Sequence, residues 1–184
     1  MVGLGNPGPR YDDTRHNVGW WVADRLAYDW ELGAFEKEGR ILWTGGSVGG
    51  VSVLLIKPTT FMNRSGAALV GVDGLDELDL TSDLLLVVDD ATLDVGRVRF
   101  RPRGGSGGHK GLKSVTSVLG TDSYARLRVG VGSAPEGANL SDWVLSPMSE
   151  DDESTIVGLL PELSQAVALW MRDGIEEAMN QFNR

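Results

Sequence analysis

LLLVV, residues 84–88, running straight into Asp89 and Asp90, is the stretch on which the fold turns. Five apolar residues without alternation describe a strand buried on both faces, the condition of a central strand with helices on either side of its sheet. Carboxylates at the carboxyl end of such a strand stand where open α/β sheets place their sites, although a solvated turn would read the same way. Working outward, residues 41–48 and 51–56 flank Gly45, Gly46, Gly49 and Gly50 and predict a hairpin or two neighbouring strands. Residues 98–102 and 124–131 predict two more strands. Helical spacing is expected at 18–30, from Met62 or Asn63 to about 72, and over 112–119 and 150–173. Pro161 is expected to kink or restart the last of these, and a short helix to follow Gly174. With 184 residues the chain is long enough for one domain with a substantial core.

Composition narrows the chemistry. There is no cysteine, hence no thiol nucleophile, disulfide or cysteine-ligated metal, and two histidines do not suggest a histidine-rich metal site. No apolar run is long enough for a bilayer and no signal peptide is visible, so a soluble, cytoplasmic protein is expected. The net charge of −9 argues against a nucleic-acid partner, but its distribution argues for one. Residues 97–128 carry eight basic side chains against one acid, Asp122, a local charge of +7. Segregation of that kind suggests one polyanion-binding face on a protein that otherwise repels polyanions, and the alternating arginines would line one side of a strand.

The segment GLGNPGPRYDDTRHNVG, residues 3–19, gathers glycines, prolines, amides and one of the two histidines between the first strand and the first helix. Gly3, Gly5 and Gly8 allow a tight exit by positive φ or close backbone approach, and Pro7 and Pro9 exclude a helix there. Thr14 or Asn17 is expected to cap the helix beginning near Val18, which puts His16 at its rim, where the positive helix end favours the neutral, base-competent imidazole. An ordinary capping histidine is the alternative. The three glycines also match the dinucleotide fingerprint, but that motif needs a helix at once, and Pro9 to Asp12 read as loop. A second glycine-rich segment, GGSGGHKG at 104–111, runs into a helix. Its amides could meet a phosphate or an oxyanion, and Gly104, Ser106 and Gly108 spell the nucleophile elbow of serine esterases.

Several blocks then agree at once. GLGNPGPRYDDTRHNVGWW, KPTTFMNRSG, LLLVVDDATLDVGRVRFRPRGGSGGHKGLKSV, RLRVGVG and AMNQFN, in this order from the first residues to the last, resemble bacterial peptidyl-tRNA hydrolase. The resemblance implies a single α/β domain spanning 1–184, a mixed twisted β-sheet between helices, acting as a monomer without metal or cofactor. It implies cleavage of the ester joining a peptide to the 3′ end of tRNA released from stalled ribosomes. His16 would activate water, Asp90 would orient His16, and Asn6 would position the substrate. Asn63 would bind the peptide main chain and help the developing oxyanion. Tyr11 and Phe61 would meet the substrate, and Arg101 and Arg128 would grip acceptor-stem phosphates. No membrane and no protein partner is implied. Two departures stand out: Met1 lies two positions before Gly3, so the first strand is expected to be short or its start trimmed, and Lys110 replaces the family's substrate-side asparagine. An ammonium cannot accept a hydrogen bond, so Lys110 is expected to act in tRNA binding. A non-catalytic RNA-binding relative, a serine esterase using Ser106 and a nucleotide-dependent oxidoreductase are the competing readings.

Overall fold

The computed structural model describes residues 1–183. The elements run β1 (Val2–Gly3), α1 (Val18–Asp29), β2 (Glu36–Glu38), β3 (Ile41–Val48), β4 (Val51–Pro58), α2 (Ser65–Leu69), β5 (Leu85–Asp90), β6 (Val98–Arg101), α3 (Lys110–Leu119), β7 (Ala125–Gly130), α4 (Leu140–Val144) and α5 (Glu150–Phe182). Short 3₁₀ turns at Pro9–Tyr11, Arg15–Asn17 and Met62–Arg64 carry the loops into α1 and α2. The seven strands form one mixed sheet in the order β2-β3-β4-β1-β5-β7-β6. Its centre, β4-β1-β5-β7, is parallel, and β2, β3 and β6 run antiparallel to their neighbours.

β5 is buried at all six positions, as its unbroken apolar run requires. Leu85 and Val87 pack with Val18, Val22 and Leu26 of α1 and with Ile156, Leu163 and Val167 of α5. Leu86 and Val88 face the other way, onto Leu69 of α2 and Leu112 and Val115 of α3. Each layer of helices thus reads one parity of the strand, which fixes the side to which every later residue of β5 points.

α1 lies against the sheet with almost no clearance. A Cβ on Gly19 would stand 2.5 Å from the carbonyl oxygens of both Leu4 and Val87, and one on Gly3 would stand 2.2 Å from that of Gly19. These glycines act by close approach; in this loop the positive φ belongs to Gly8, at 110°. The expected caps do not form. Asn17 spends its amide on the preceding loop, Oδ1 accepting from Asn6 N at 2.8 Å and Nδ2 donating to Asn6 O at 3.0 Å, while Thr14 Oγ1 donates to Tyr11 O. The dinucleotide reading fails because the 3₁₀ turns separate Gly8 from α1 by nine residues of the chain.

α5 continues through Pro161, where a kink or restart was expected, and departs from helical dihedrals at Gly174, after which the separate short helix was expected; there φ is 86° and ψ is 179°. The helix expected after Met62 is instead a 3₁₀ turn and the five residues of α2, and the stretch around Trp143 is the short helix α4. No helix among the described residues is long and apolar enough to cross a membrane.

Candidate active site

The carboxyl ends of the parallel strands deliver the site. The loop after β1 brings Asn6, Tyr11 and His16, the turn after β4 brings Phe61 and Asn63, and β5 ends in Asp89 and Asp90. Arg128 comes from β7, and Lys110 opens α3. All of them line one cleft of about 260 Å³, together with Ser106, His109 and Ser141. It opens beside the junction of β1 and β5, where the chain, having built β4 on one side of β1, returns to the other; open α/β sheets leave a crevice at such reversals.

His16 is buried, and its Nδ1 lies 2.7 Å from Asp89 Oδ1. A carboxylate can only accept, so Nδ1 carries the proton and Nε2 keeps the lone pair that a base needs. Burial would push the Asp89 carboxyl up, but attraction to His109 and His16 and the hydrogen bonds from both rings outweigh it and hold the group well below the usual carboxylate range. The expectation that Asp90 orients His16 is therefore corrected by one residue. Asp89 shares the parity of Leu85 and Val87 and points to the α1 side, where His16 lies. Asp90 shares the parity of Leu86 and Val88; it accepts from Thr92 N at 2.9 Å and Thr92 Oγ1 at 2.7 Å, and its Oδ2 lies 2.9 Å from Arg128 Nη2.

The second histidine, which sequence reasoning left unassigned, completes the group. His109 Nε2 lies 2.9 Å from the same Asp89 Oδ1, and its Nδ1 accepts from Gly111 N at 3.1 Å and Leu112 N at 3.2 Å as the cap of α3. The glycine-loop amides expected to meet a phosphate are in part consumed by this cap. The three donor atoms of His16, Asp89 and His109 lie within 4.8 Å of one another, a metal-like spacing, but the tautomers do not fit a metal. A neutral imidazole ligating through Nε2 must be protonated at Nδ1, and His109 Nδ1 already faces two backbone N–H donors. The signal available in advance was that only two histidines occur in the chain and both fall in glycine-rich loops.

The remaining groups are fixed by local bonds. Asn6 Oδ1 accepts from Met62 N at 2.8 Å, tying the first loop to the Phe61–Asn63 turn and leaving the amide nitrogen as the group with which Asn6 can meet a substrate. Asn63 is exposed. Tyr11 and Phe61 meet edge to face with centroids 6.3 Å apart, and Phe61 is 53 % exposed, a large apolar surface at the rim. Lys110 Nζ donates to Ser141 Oγ at 2.9 Å, bridging α3 and α4 across the cleft. Arg15, beside the base, is buried over the Trp143 ring at 3.5 Å and donates to Ser146 Oγ and Pro147 O, so the histidine's own turn is clamped to the chain around α4. No hydrogen bond joins the Ser106 hydroxyl to either imidazole among the described residues, so the nucleophile elbow has spelling without geometry.

The basic segment divides. Arg97, Arg99, Arg103, Lys110 and Lys113 are exposed and Arg101 is half-buried, outside the cleft itself. Arg126 is not part of that face: it is buried, donating to Gly104 O and, at 2.7 Å, to Asp122 O, where it holds the glycine-rich loop in place.

A mixed α/β sheet whose parallel strand ends bring a histidine–carboxylate pair and amide side chains to one cleft has the groups of a hydrolase. The sequence profile of the family described as Peptidyl-tRNA hydrolase matches residues 1–184, and the chain belongs to that family. It is 43% identical over 185 residues to the peptidyl-tRNA hydrolase of Moorella thermoacetica and 38% identical over 183 residues to that of Agathobacter rectalis, covering all of this chain and 96% and 98% of those proteins. The crystal structure of peptidyl-tRNA hydrolase from Acinetobacter baumannii is similar with a TM-score of 0.90 at 31% identity, over 99% of this chain and 92% of that one.

Proposed function

We propose that the protein hydrolyses the ester between peptide and tRNA in peptidyl-tRNA, with His16 as general base and Asp89 as its partner. The observation that carries this reading is the buried His16–Asp89 hydrogen bond on the wall of a cleft rimmed by aromatic and basic side chains. Water held against His16 Nε2 gives up a proton as its oxygen attacks the ester carbonyl, and the imidazolium is stabilised by Asp89. The amide nitrogens of Asn6 and Asn63 supply donors for the oxyanion, and collapse of the tetrahedral species returns the proton to the ribose oxygen of the tRNA. General base assistance accounts for about 10²–10⁴ in rate, and positioning for the remainder.

Recognition of the tRNA falls to the surface around the cleft. The Tyr11–Phe61 pair offers stacking area for an unpaired 3′ base or a peptide side chain. Arg101 and the exposed basic residues near it face acceptor-stem phosphates, and Arg128, ion-paired through Nη2 with Asp90, has donors left for another. Lys110 adds a point charge at the cleft mouth. We infer a monomer acting without a protein partner.

The test is release of an N-blocked amino acid from aminoacyl-tRNA. His16→Ala is expected to lose roughly 10²–10⁴ of kcat while binding tRNA as wild type does. A wild type that binds tRNA and releases nothing would mark the protein as a non-catalytic RNA-binding relative.

A further inference from the structure

The geometry points to His109 as a positioning residue for the reaction, a neutral imidazole locked in one tautomer by the α3 cap that presents its Nε2–H to Asp89 and so tunes and aims the His16–Asp89 pair. The inference deepens the proposed function and rests on His16 being the base. Its observations are the two ends of one ring: Nδ1 accepts from Gly111 N and Leu112 N, and Nε2 lies 2.9 Å from the oxygen that His16 Nδ1 also reaches at 2.7 Å.

The lock follows from hydrogen-bond arithmetic. Two backbone donors converge on Nδ1, so that nitrogen must hold a lone pair, and a neutral ring then has its proton on Nε2. Protonating Nδ1 would place N–H against N–H and strip the cap from a ten-residue helix. His109 is thus the histidine that does not take up the catalytic proton, although its ring centroid is only 4.9 Å from that of His16. When water is deprotonated, the new positive charge belongs to His16 alone. A second donor on Asp89 Oδ1 spreads the carboxylate's charge and so weakens its pull on an imidazolium at His16; it also fixes the carboxylate rotamer that aims the ring. The other charged or titratable groups facing the site are Tyr11 from the first loop, Asp90 and Arg128 from the sheet and Lys110 from α3, and none of them hydrogen-bonds either imidazole among the described residues.

Two substitutions separate the two ends of the ring. In His109→Asn the side-chain oxygen stands in for Nδ1, so the cap survives and the donor to Asp89 is lost. In His109→Gln the amide nitrogen stands in for Nε2, so the donor survives and the cap is lost. The expected result for His109→Asn is a wild-type melting temperature, a kcat lower by about 10- to 100-fold and an acid limb of the kcat–pH profile displaced upward by about one pH unit. For His109→Gln it is a lowered melting temperature, with the acid limb where wild type has it and most of the lost kcat recovered. Nitrogen NMR of the unliganded wild type is expected to show His109 neutral and protonated at Nε2 across the range in which His16 titrates. An unmoved limb in His109→Asn, equal displacement in both variants, or His109 titrating together with His16 would each overturn the inference. Because the NMR measurement needs no substrate, a wild type that hydrolyses nothing would count against the proposed function without touching the tautomer lock.

Discussion

At the scale of the residue, the site depends on which of two adjacent aspartates faces which helix layer. Asp89 lies on the side of α1 and Asp90 on the side of α3, because side chains alternate along β5. Asp89→Asn is expected to lower kcat by at least about 100-fold, since an amide donor opposite His16 Nδ1 favours the tautomer without a free base nitrogen. Asp90→Asn is expected to change kcat only a few-fold and to act on substrate affinity through the released Arg128; steady-state kinetics on both variants checks this. Asp89 also has a stability signature. Its carboxyl is held below the usual range in the folded protein, so its contribution is fully present above the unfolded value of about 4 and is lost as pH falls toward the folded one. The stability gap between wild type and Asp89→Asn, followed by urea unfolding, is therefore expected to be constant near neutrality and to narrow below about pH 4.

At the scale of the element, the two histidines stand just ahead of α1 and α3, His109 as the cap of α3, and α1 is anchored by backbone contact. Gly19→Ala would drive a methyl into the carbonyl oxygens of Leu4 and Val87, and central strands cannot retreat. We expect a loss of about 3 kcal/mol or more in urea unfolding, at the upper end of overpacking costs. Lys110, the first residue of α3, spans to Ser141 of α4; Lys110→Asn is expected to raise KM for peptidyl-tRNA at low salt and leave kcat within a few-fold, and a change confined to kcat would contradict its assignment to binding. The hairpin, the central strand and α1 were legible in the sequence because their apolar periods are clean. β2, the exposed stretch Glu36–Glu38, was not, since it is held only by pairing with β3 and has no apolar face to announce it. His16, Asn6, Tyr11, Phe61, Asn63 and Lys110 were placed in the cleft by their motifs, whereas the choice between Asp89 and Asp90 needed to know which side of β5 meets α1. Arg126 looked like the rest of the basic strip because burial, unlike charge, leaves no local trace.

At the scale of the molecule, a chain of net charge −9 carries part of its positive charge on and beside the edge strand β6, at Arg97, Arg99, Arg101 and Arg103, with Lys110 and Lys113 on α3. KM for peptidyl-tRNA is accordingly expected to rise steeply with salt while kcat stays nearly flat, because phosphate contacts are screened and the buried His16–Asp89 pair is not. The partnership of His16 with Asp89 is tested most directly by single-turnover hydrolysis of N-acetyl-aminoacyl-tRNA at saturating enzyme by wild type, Asp89→Asn and Asp90→Asn. Rapid ester cleavage is expected of wild type and of Asp90→Asn, and near-loss of cleavage of Asp89→Asn with tRNA still bound. Cleavage that survives Asp89→Asn and disappears in Asp90→Asn would contradict that partnership.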